Sequence, residues 1–214
     1  MKKLKAFNVV ELTIVVSLML ATVMLCVPVI FNNTKEAKII SNWKKSFAEM
    51  QSNFEVFAIS DRTNIENVCT TNTNITERDN EIFKIIGPYL NVDTSKNVQT
   101  LKNYHYKFKN GSHVPMQSPF FTKLYAYQEN ENIVIFKWLT CQCDEKTPCA
   151  TVFFDMNGKQ KPNNIGKDIF GLYLYKNRIE TFGAKLSNEE LTKSCNSHSN
   201  GLNCSEYYLR GGKF

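Results

Sequence analysis

The chain has 214 residues, 43% of them hydrophobic and 12% aromatic, which is enough for one sizeable domain with an extension and excludes a disordered chain. The net charge is +6, but three of the basic residues are Lys2, Lys3 and Lys5. The remaining basic residues are scattered and form no patch interleaved with aromatics, so nucleic acid is not an expected partner.

The N-terminal part combines a basic stretch with an apolar segment. Residues 12–31 carry no charge, and about 20 such residues cross the ~30 Å of hydrocarbon in a bilayer. No small-residue site for a secretory signal peptidase follows, and Cys26 lacks the small preceding residue of a lipoprotein. We therefore expect a single-pass membrane segment with the lysines inside and the C-terminal part translocated.

Residues 32–60 predict an amphipathic continuation of the same helix, with no Pro or Gly after Val29. We expect one helix from about Phe7 to Ile59, on the order of 80 Å long. The apolar stripe should pack on the chain's own domain, since about three heptads make a poor coiled coil. The stripe recurs at alternating spacings of three and four residues: Ile40, Trp43, Phe47, Met50, Phe54 and Phe57.

A plain membrane anchor does not account for Glu11, because a carboxylate in the bilayer centre costs about 2.5 kcal/mol or more. The stretch "KAFNVVELTIVVSLMLATVMLCVPVI" resembles the N-terminal signature of type IV pilins and of type II secretion pseudopilins. A basic leader ends in the small residue Ala6, Phe7 would follow the cut, and Glu11 is fifth in the cut chain. The sequence departs from the family pattern at Ala6, where Gly is usual, and at Asn8, where Thr is commoner.

The resemblance implies that a prepilin peptidase removes residues 1–6 and N-methylates Phe7. Residues 7–31 would then form the transmembrane and assembly helix. Glu11 would pair with the freed amine of a neighbouring subunit, because a buried charge is tolerated when it is paired. Pro28 falls where pilins commonly carry a helix-kinking proline. The implied partners are the peptidase, other pilin or pseudopilin subunits and the inner membrane.

We expect residues 61–214 to form one extracytoplasmic domain. The sequence as a whole predicts an α+β fold. "ITERDNEIFKIIGPYL" predicts a short helix with Thr76 as its N-cap, after a "CTTNTN" loop. From Phe120 onward, "FFTKLYAY", "NIVIFKWLT", "ATVFFD", "IFGLYLY" and "RIETFGA" predict strands, with a turn at Lys176-Asn177 and "SEYYLR" as a last strand. A long helix followed by an antiparallel sheet is also the architecture that the resemblance implies.

Six of the seven cysteines follow the apolar segment, which predicts an oxidising compartment and up to three disulfides. By the resemblance, Cys195 and Cys204 close a C-terminal loop. A zinc site is less favoured than disulfides, because it needs a fourth ligand and reduced thiols. The pairing of the other cysteines stays open: Cys69, Cys141, Cys143 and Cys149.

The stretch "FDMNGKQKPNNIGKDIFG" contains oxygen ligands of the kind that calcium prefers, with Asp155, Asn157 and Asp168 as candidates. The spacing is not that of an EF-hand, and the same residue types build turns, so a structured hairpin loop is favoured and no cofactor is expected. The three histidines have no triad or metal spacing, and no phosphate-loop or hydrolase motif is present. The chain is therefore not expected to be an enzyme.

These patterns favour a structural subunit, minor or specialised, of a type IV pilus-like filament. It would lie in the inner membrane before assembly and in a periplasmic or cell-surface filament afterwards. A type II secretion pseudopilin is an alternative that the motif does not separate. A monomeric, membrane-tethered periplasmic binding domain belongs to a different class, in which Glu11 is incidental and a ligand pocket lies among the aromatics of the sheet.

Overall fold

The computed structural model describes residues 9–60, 62–92, 94, 99–100, 105–115, 118, 120, 124–127, 132–158 and 160–213. At 25–33, 58–60, 62, 99–100 and 124–127 the structure describes the backbone alone. The chain divides into two compact units, Met1–Lys38 and Ile39–Phe214.

One helix, α1, covers Val9–Ser60. The predicted continuous helix is therefore confirmed over these residues. The backbone is helical through Pro28, whose side chain lies outside the description, so the expected kink stays a prediction. Among the described residues, no helix combines the length and the apolar character that a membrane crossing requires.

The apolar stripe of α1 packs into the core of the second unit. Trp43, Met50, Phe54 and Phe57 are buried, and Ile40 and Phe47 pack against the same core. The ring of Trp43 lies 5.4 Å from that of Phe170, and its Nε1 donates to the backbone oxygen of Ser205 at 2.9 Å. Packing on its own domain, rather than in a coiled coil, is confirmed.

Two short helices and a turn follow, α2 (Arg62–Thr71), α3 (Ile75–Ile86) and a 3-10 turn (Gly87–Leu90). The prediction of "CTTNTN" as loop was wrong at its start, because Cys69 and the two residues after it belong to α2. Thr76 as the N-cap was also wrong. Asn74 caps α3, since its backbone is extended and its side chain accepts from the backbone N–H groups of Thr76 and Glu77.

Six strands form one antiparallel sheet in chain order: β1 (Gln99–Thr100), β2 (Leu124–Tyr127), β3 (Ile133–Trp138), β4 (Ala150–Asp155), β5 (Ile169–Leu174) and β6 (Ile179–Thr181). Strands that neighbour in sequence also neighbour in the sheet, so short connections suffice. The turn between β5 and β6 contains Lys176-Asn177, as predicted, and the backbone N–H of Tyr175 donates to the oxygen of Arg178 at 2.8 Å. The fold is α+β, as expected.

Both faces of the sheet are buried at β3, β4 and β5, which explains why these strands read as continuous apolar runs. Phe136 and Phe154 face the cluster that contains the α1 stripe, and the ring of Phe136 stacks on Phe83 of α3 at 4.8 Å. Ile135 and Phe153, one residue along, face a second cluster on the other side. This period of two is the pleat of a β-strand.

The chain ends in two short helices, α4 (Asn188–Ser194) and α5 (Cys204–Leu209). The prediction of "SEYYLR" as a strand was wrong. Cys204 and Tyr208 are both 0% exposed, and their spacing of four residues brings them to one face of a helix. Tyr208 packs edge-on against Phe170 of β5, with ring centroids 5.6 Å apart.

Candidate functional site

The first candidate site is the surface of α1 in the first unit. Every side chain from Val9 to Met24 is exposed. Soluble monomers rarely present contiguous apolar patches beyond a few hundred Å², and larger ones mark contacts with proteins or lipid. Eleven large apolar side chains here are 40% to 74% exposed: Val9, Val10, Leu12, Ile14, Val15, Val16, Leu18, Met19, Leu20, Val23 and Met24.

The hydroxyl groups on this surface bond within the helix. Thr13 Oγ1 donates to the Val10 oxygen at 2.9 Å, and Ser17 Oγ to the Thr13 oxygen at 2.7 Å. Thr22 Oγ1 donates in the same way to the Met19 oxygen at 2.8 Å. A hydroxyl that donates to its own helix loses less on leaving water, so these residues are compatible with apolar surroundings.

Glu11 lies in α1 and is the only charged residue between Lys5 and Lys35 in the sequence. The expected cut site, Ala6 and Phe7, lies outside the described residues, as does the amine that the cut would create.

The second unit holds three disulfides, Cys69–Cys141, Cys143–Cys149 and Cys195–Cys204. Disulfides are thus present as expected, and the last is the pair that the resemblance implies. Cys69–Cys141 joins α2 to the segment after β3 across 72 residues. Closing a loop of that length stabilises the folded chain by about 4 kcal/mol in the chain-entropy picture.

A pocket of about 70 Å³ lies in the second unit beside two of these disulfides. Its wall includes Phe57, Trp138 and Tyr175, together with the cysteines Cys69 and Cys149. Trp138 Nε1 is buried and has no hydrogen-bond partner among the residues that the structure describes. Pockets for drug-sized ligands measure about 300–1,000 Å³, so this one fits a group of only a few atoms.

The hydrogen bonds of the loop between β4 and β5 converge on Asp168, whereas the buried Oδ1 atoms of Asn157 and Asn163 have no hydrogen-bond partner among the described residues. The Asp168 carboxylate accepts from the backbone N–H groups of Asn163 and Asn164 at 2.8 and 2.6 Å, and from Asn157 Nδ2 at 3.1 Å. Asp155 Oδ1 accepts from the backbone N–H of Asn157 at 3.1 Å. Burial raises the pKa of the Asp168 carboxyl above its ordinary value, and the three donors offset part of that rise.

This hydrogen bonding is that of the structured hairpin loop that the sequence favoured over a calcium site. Within the described ranges, no cluster of three or more His, Cys, Asp or Glu side chains has a geometry that could hold a metal. Calcium binding by Asp155, Asn157 and Asp168 stays an untested prediction.

Lys109 is a residue that the sequence did not single out. Its Nζ donates to the Sγ atoms of Cys195 and Cys204, at 3.6 Å each, and to the hydroxyl of Tyr208 at 3.2 Å. Lys109 and Cys195 are 86 residues apart in the chain. A contact over that separation leaves no local pattern in the sequence.

The predicted residues fall into separate groups. Glu11 and Pro28 belong to the first unit, whereas the disulfides and the loop between β4 and β5 belong to the second. Comparisons of the chain with family models, curated proteins and solved structures gave no match. A function for this chain therefore rests on its own residues and their geometry.

Proposed function

We propose that this chain is a filament subunit of the type IV pilin kind, minor or specialised, that assembles through α1. Prepilin peptidase would cut between Ala6 and Phe7 and methylate the new amine of Phe7. The observation that carries the proposal is the exposed apolar surface from Val9 to Met24, in which Glu11 is the only charged side chain. Such a surface needs lipid or other helices around it.

Before assembly, the proposed subunit would be anchored in the inner membrane, with its second unit outside the cytoplasm. Three features support this location. Residues 12–31 are free of charge, and the hydroxyls of Thr13, Ser17 and Thr22 donate within the helix. The three disulfides of the second unit are typical of chains that fold in an oxidising compartment.

In the filament, Glu11 would set the axial position of an incoming subunit. The amine of Phe7 stays a cation after methylation, and packed helices would remove water from both groups. Leaving one partner of a buried ion pair unpaired costs about 3–5 kcal/mol. Only the position that brings amine and carboxylate together avoids this cost, so neighbouring helices would lock there.

The second unit agrees with this proposal at the level of architecture. The part of α1 that contains Trp43 and Phe57 packs on an antiparallel sheet, which is the arrangement that the resemblance implies. A pseudopilin of type II secretion would share both the motif and the architecture. The tethered binding domain would need a ligand pocket among the aromatics of the sheet, and the pocket beside Trp138 measures about 70 Å³.

The role of Glu11 is tested by Glu11→Val. We expect the variant to insert into the membrane at the normal level and to lose filaments, because the amine would be buried without a partner. Membrane fractionation measures insertion, and electron microscopy of sheared filaments measures assembly. Glu36→Val is the matched control, since it removes a carboxylate from the same helix outside the uncharged segment. Filaments at normal yield in Glu11→Val would contradict the proposed role.

A further inference from the structure

The side-chain ammonium of Lys109 lies against one disulfide. Its Nζ is 3.6 Å from Sγ of Cys195 and 3.6 Å from Sγ of Cys204, so it faces both ends of the S–S bond. Among the described residues, no lysine or arginine donates to a sulfur of the other two disulfides. Lys176 shares a pocket with their four cysteines, but its Nζ pairs with Glu66 Oε1 at 3.7 Å.

The backbone of Lys109 is bonded to the loop that the Cys195–Cys204 disulfide closes. Its backbone N–H donates to the Asn200 oxygen at 3.1 Å, and the next N–H, of Asn110, donates to the Ser199 oxygen at 3.1 Å. The same loop passes so close that a Cβ added at Gly201 would lie 2.7 Å from Cβ of Lys109. These backbone bonds position the ammonium of Lys109 beside the Cys195–Cys204 pair.

The two sulfur-bearing residues differ in access. Cys204 is 0% exposed, and a Cβ added at Gly166 would lie 3.0 Å from its sulfur. Cys195, at the end of α4, is only half-buried. Cys195 is therefore the more accessible residue of the pair for a thiolate from solvent, and Cys204 is the buried leaving group.

The charge of Lys109 favours that leaving group. A neighbouring ammonium lowers the pKa of a cysteine thiol and stabilises its thiolate. A thiol of lower pKa leaves faster in exchange, and a stabilised dithiol form makes the pair a stronger oxidant. Lys109 should act in both ways on Cys204, which lies inside the fold where charges are screened least.

We propose that the Cys195–Cys204 disulfide is a thiol–disulfide exchange site whose substrate is an external dithiol. A thiolate of the dithiol attacks Sγ of Cys195 and forms a mixed disulfide, while the S–S bond breaks and Cys204 leaves as a thiolate beside Lys109. The second thiol of the dithiol then attacks the dithiol sulfur that is bonded to Sγ of Cys195, and Cys195 leaves as a thiol. The dithiol is oxidised to a disulfide, and its two protons and two electrons end on Cys195 and Cys204.

An equilibrium redox titration of the full-length chain in detergent tests this proposal. The protein is equilibrated in buffers of reduced and oxidised dithiothreitol, free thiols are alkylated, and peptide mass spectrometry quantifies each disulfide. An equilibrium midpoint does not depend on how exposed each cysteine is. A rate experiment would instead favour reduction at Cys141, because that residue is exposed. We expect Cys195–Cys204 to have the least negative midpoint of the three disulfides.

Variants at Lys109 separate the charge from the packing. Lys109→Met should make the Cys195–Cys204 pair about tenfold harder to reduce, a shift of about 30 mV for a two-electron couple. Lys109→Arg should keep the wild-type midpoint, and Lys193→Met, which removes an exposed lysine of α4, should not move it.

Two results would overturn the proposal. One is a wild-type titration in which Cys69–Cys141 or Cys143–Cys149 is reduced first, a result that needs no variant to fold. The other is a Lys109→Met midpoint equal to that of wild type or less negative. The proposal does not depend on filament assembly, so it can fail while the proposed function holds.

Discussion

Asp168 is a buried carboxylate in a stretch whose residue types suggested a calcium site. In the structure it accepts hydrogen bonds from groups of its own loop. Three N–H groups donate to its two oxygens, from Asn157, Asn163 and Asn164. Aspartate and asparagine suit a cation and a turn equally well in sequence. The N–H donors show that Asp168 is part of the hydrogen bonding of the loop, and calcium binding stays an untested prediction.

Asp168 also predicts a pH dependence of stability. Burial raises the folded-state pKa of its carboxyl above the unfolded value, so the folded state binds the proton more tightly. The stability of wild type relative to Asp168→Asn should therefore fall as the pH rises from about 4 through the folded-state pKa. Urea titrations at several pH values, followed by the fluorescence of the two buried tryptophans, measure this difference.

Asp144→Asn is the control of opposite sign. Backbone N–H groups of Thr147 and Lys146 lower the pKa of the exposed Asp144 carboxyl. Wild type should lose stability relative to this variant as the pH falls through that lowered pKa. If the stability difference for Asp168→Asn stays constant or grows as the pH rises, the argument for its raised pKa is wrong.

At the scale of the element, periodicity predicted the long helix and the central strands. The stripe from Trp43 to Phe57 repeats over several turns, and apolar runs such as "NIVIFKWLT" exceed what a turn contains. The short elements were harder. A run of six residues such as Cys204–Leu209 fits a strand or a helix equally well in sequence. In the structure it is a helix that packs against β5.

The N-cap of α3 gives a stability test at this scale. Asn74 Oδ1 accepts from the N–H groups of Thr76 and Glu77 at 3.0 and 3.4 Å. Asn74→Ala should lower the free energy of unfolding by about 1 kcal/mol, because two N–H groups lose their acceptor. Thr76→Ala, at the residue that the sequence favoured as the cap, should change it by less than ~0.5 kcal/mol. A larger loss in Thr76→Ala, measured by urea titration, would reverse the assignment of the cap.

At the scale of the whole molecule, several contacts join residues that are distant in sequence. Cys69 pairs with Cys141 because α2 lies beside the segment that follows β3. Lys109 meets Cys195 and Cys204 because the 109–110 segment is bonded to the loop at 199–200. Neither contact has a local pattern, so composition predicted disulfides but not their full pairing. The residues proposed for assembly are different, since they lie within one continuous stretch of the sequence and can be identified from it.

Mass spectrometry of the protein extracted from its native membrane tests the central claim most directly. Intact mass gives the processed length, and N-terminal peptide analysis identifies the first residue and its modification. We expect a chain that begins at N-methylated Phe7, with residues 1–6 removed. A chain that retains "MKKLKA" would contradict cleavage after Ala6 and, with it, the proposal that this protein is a filament subunit.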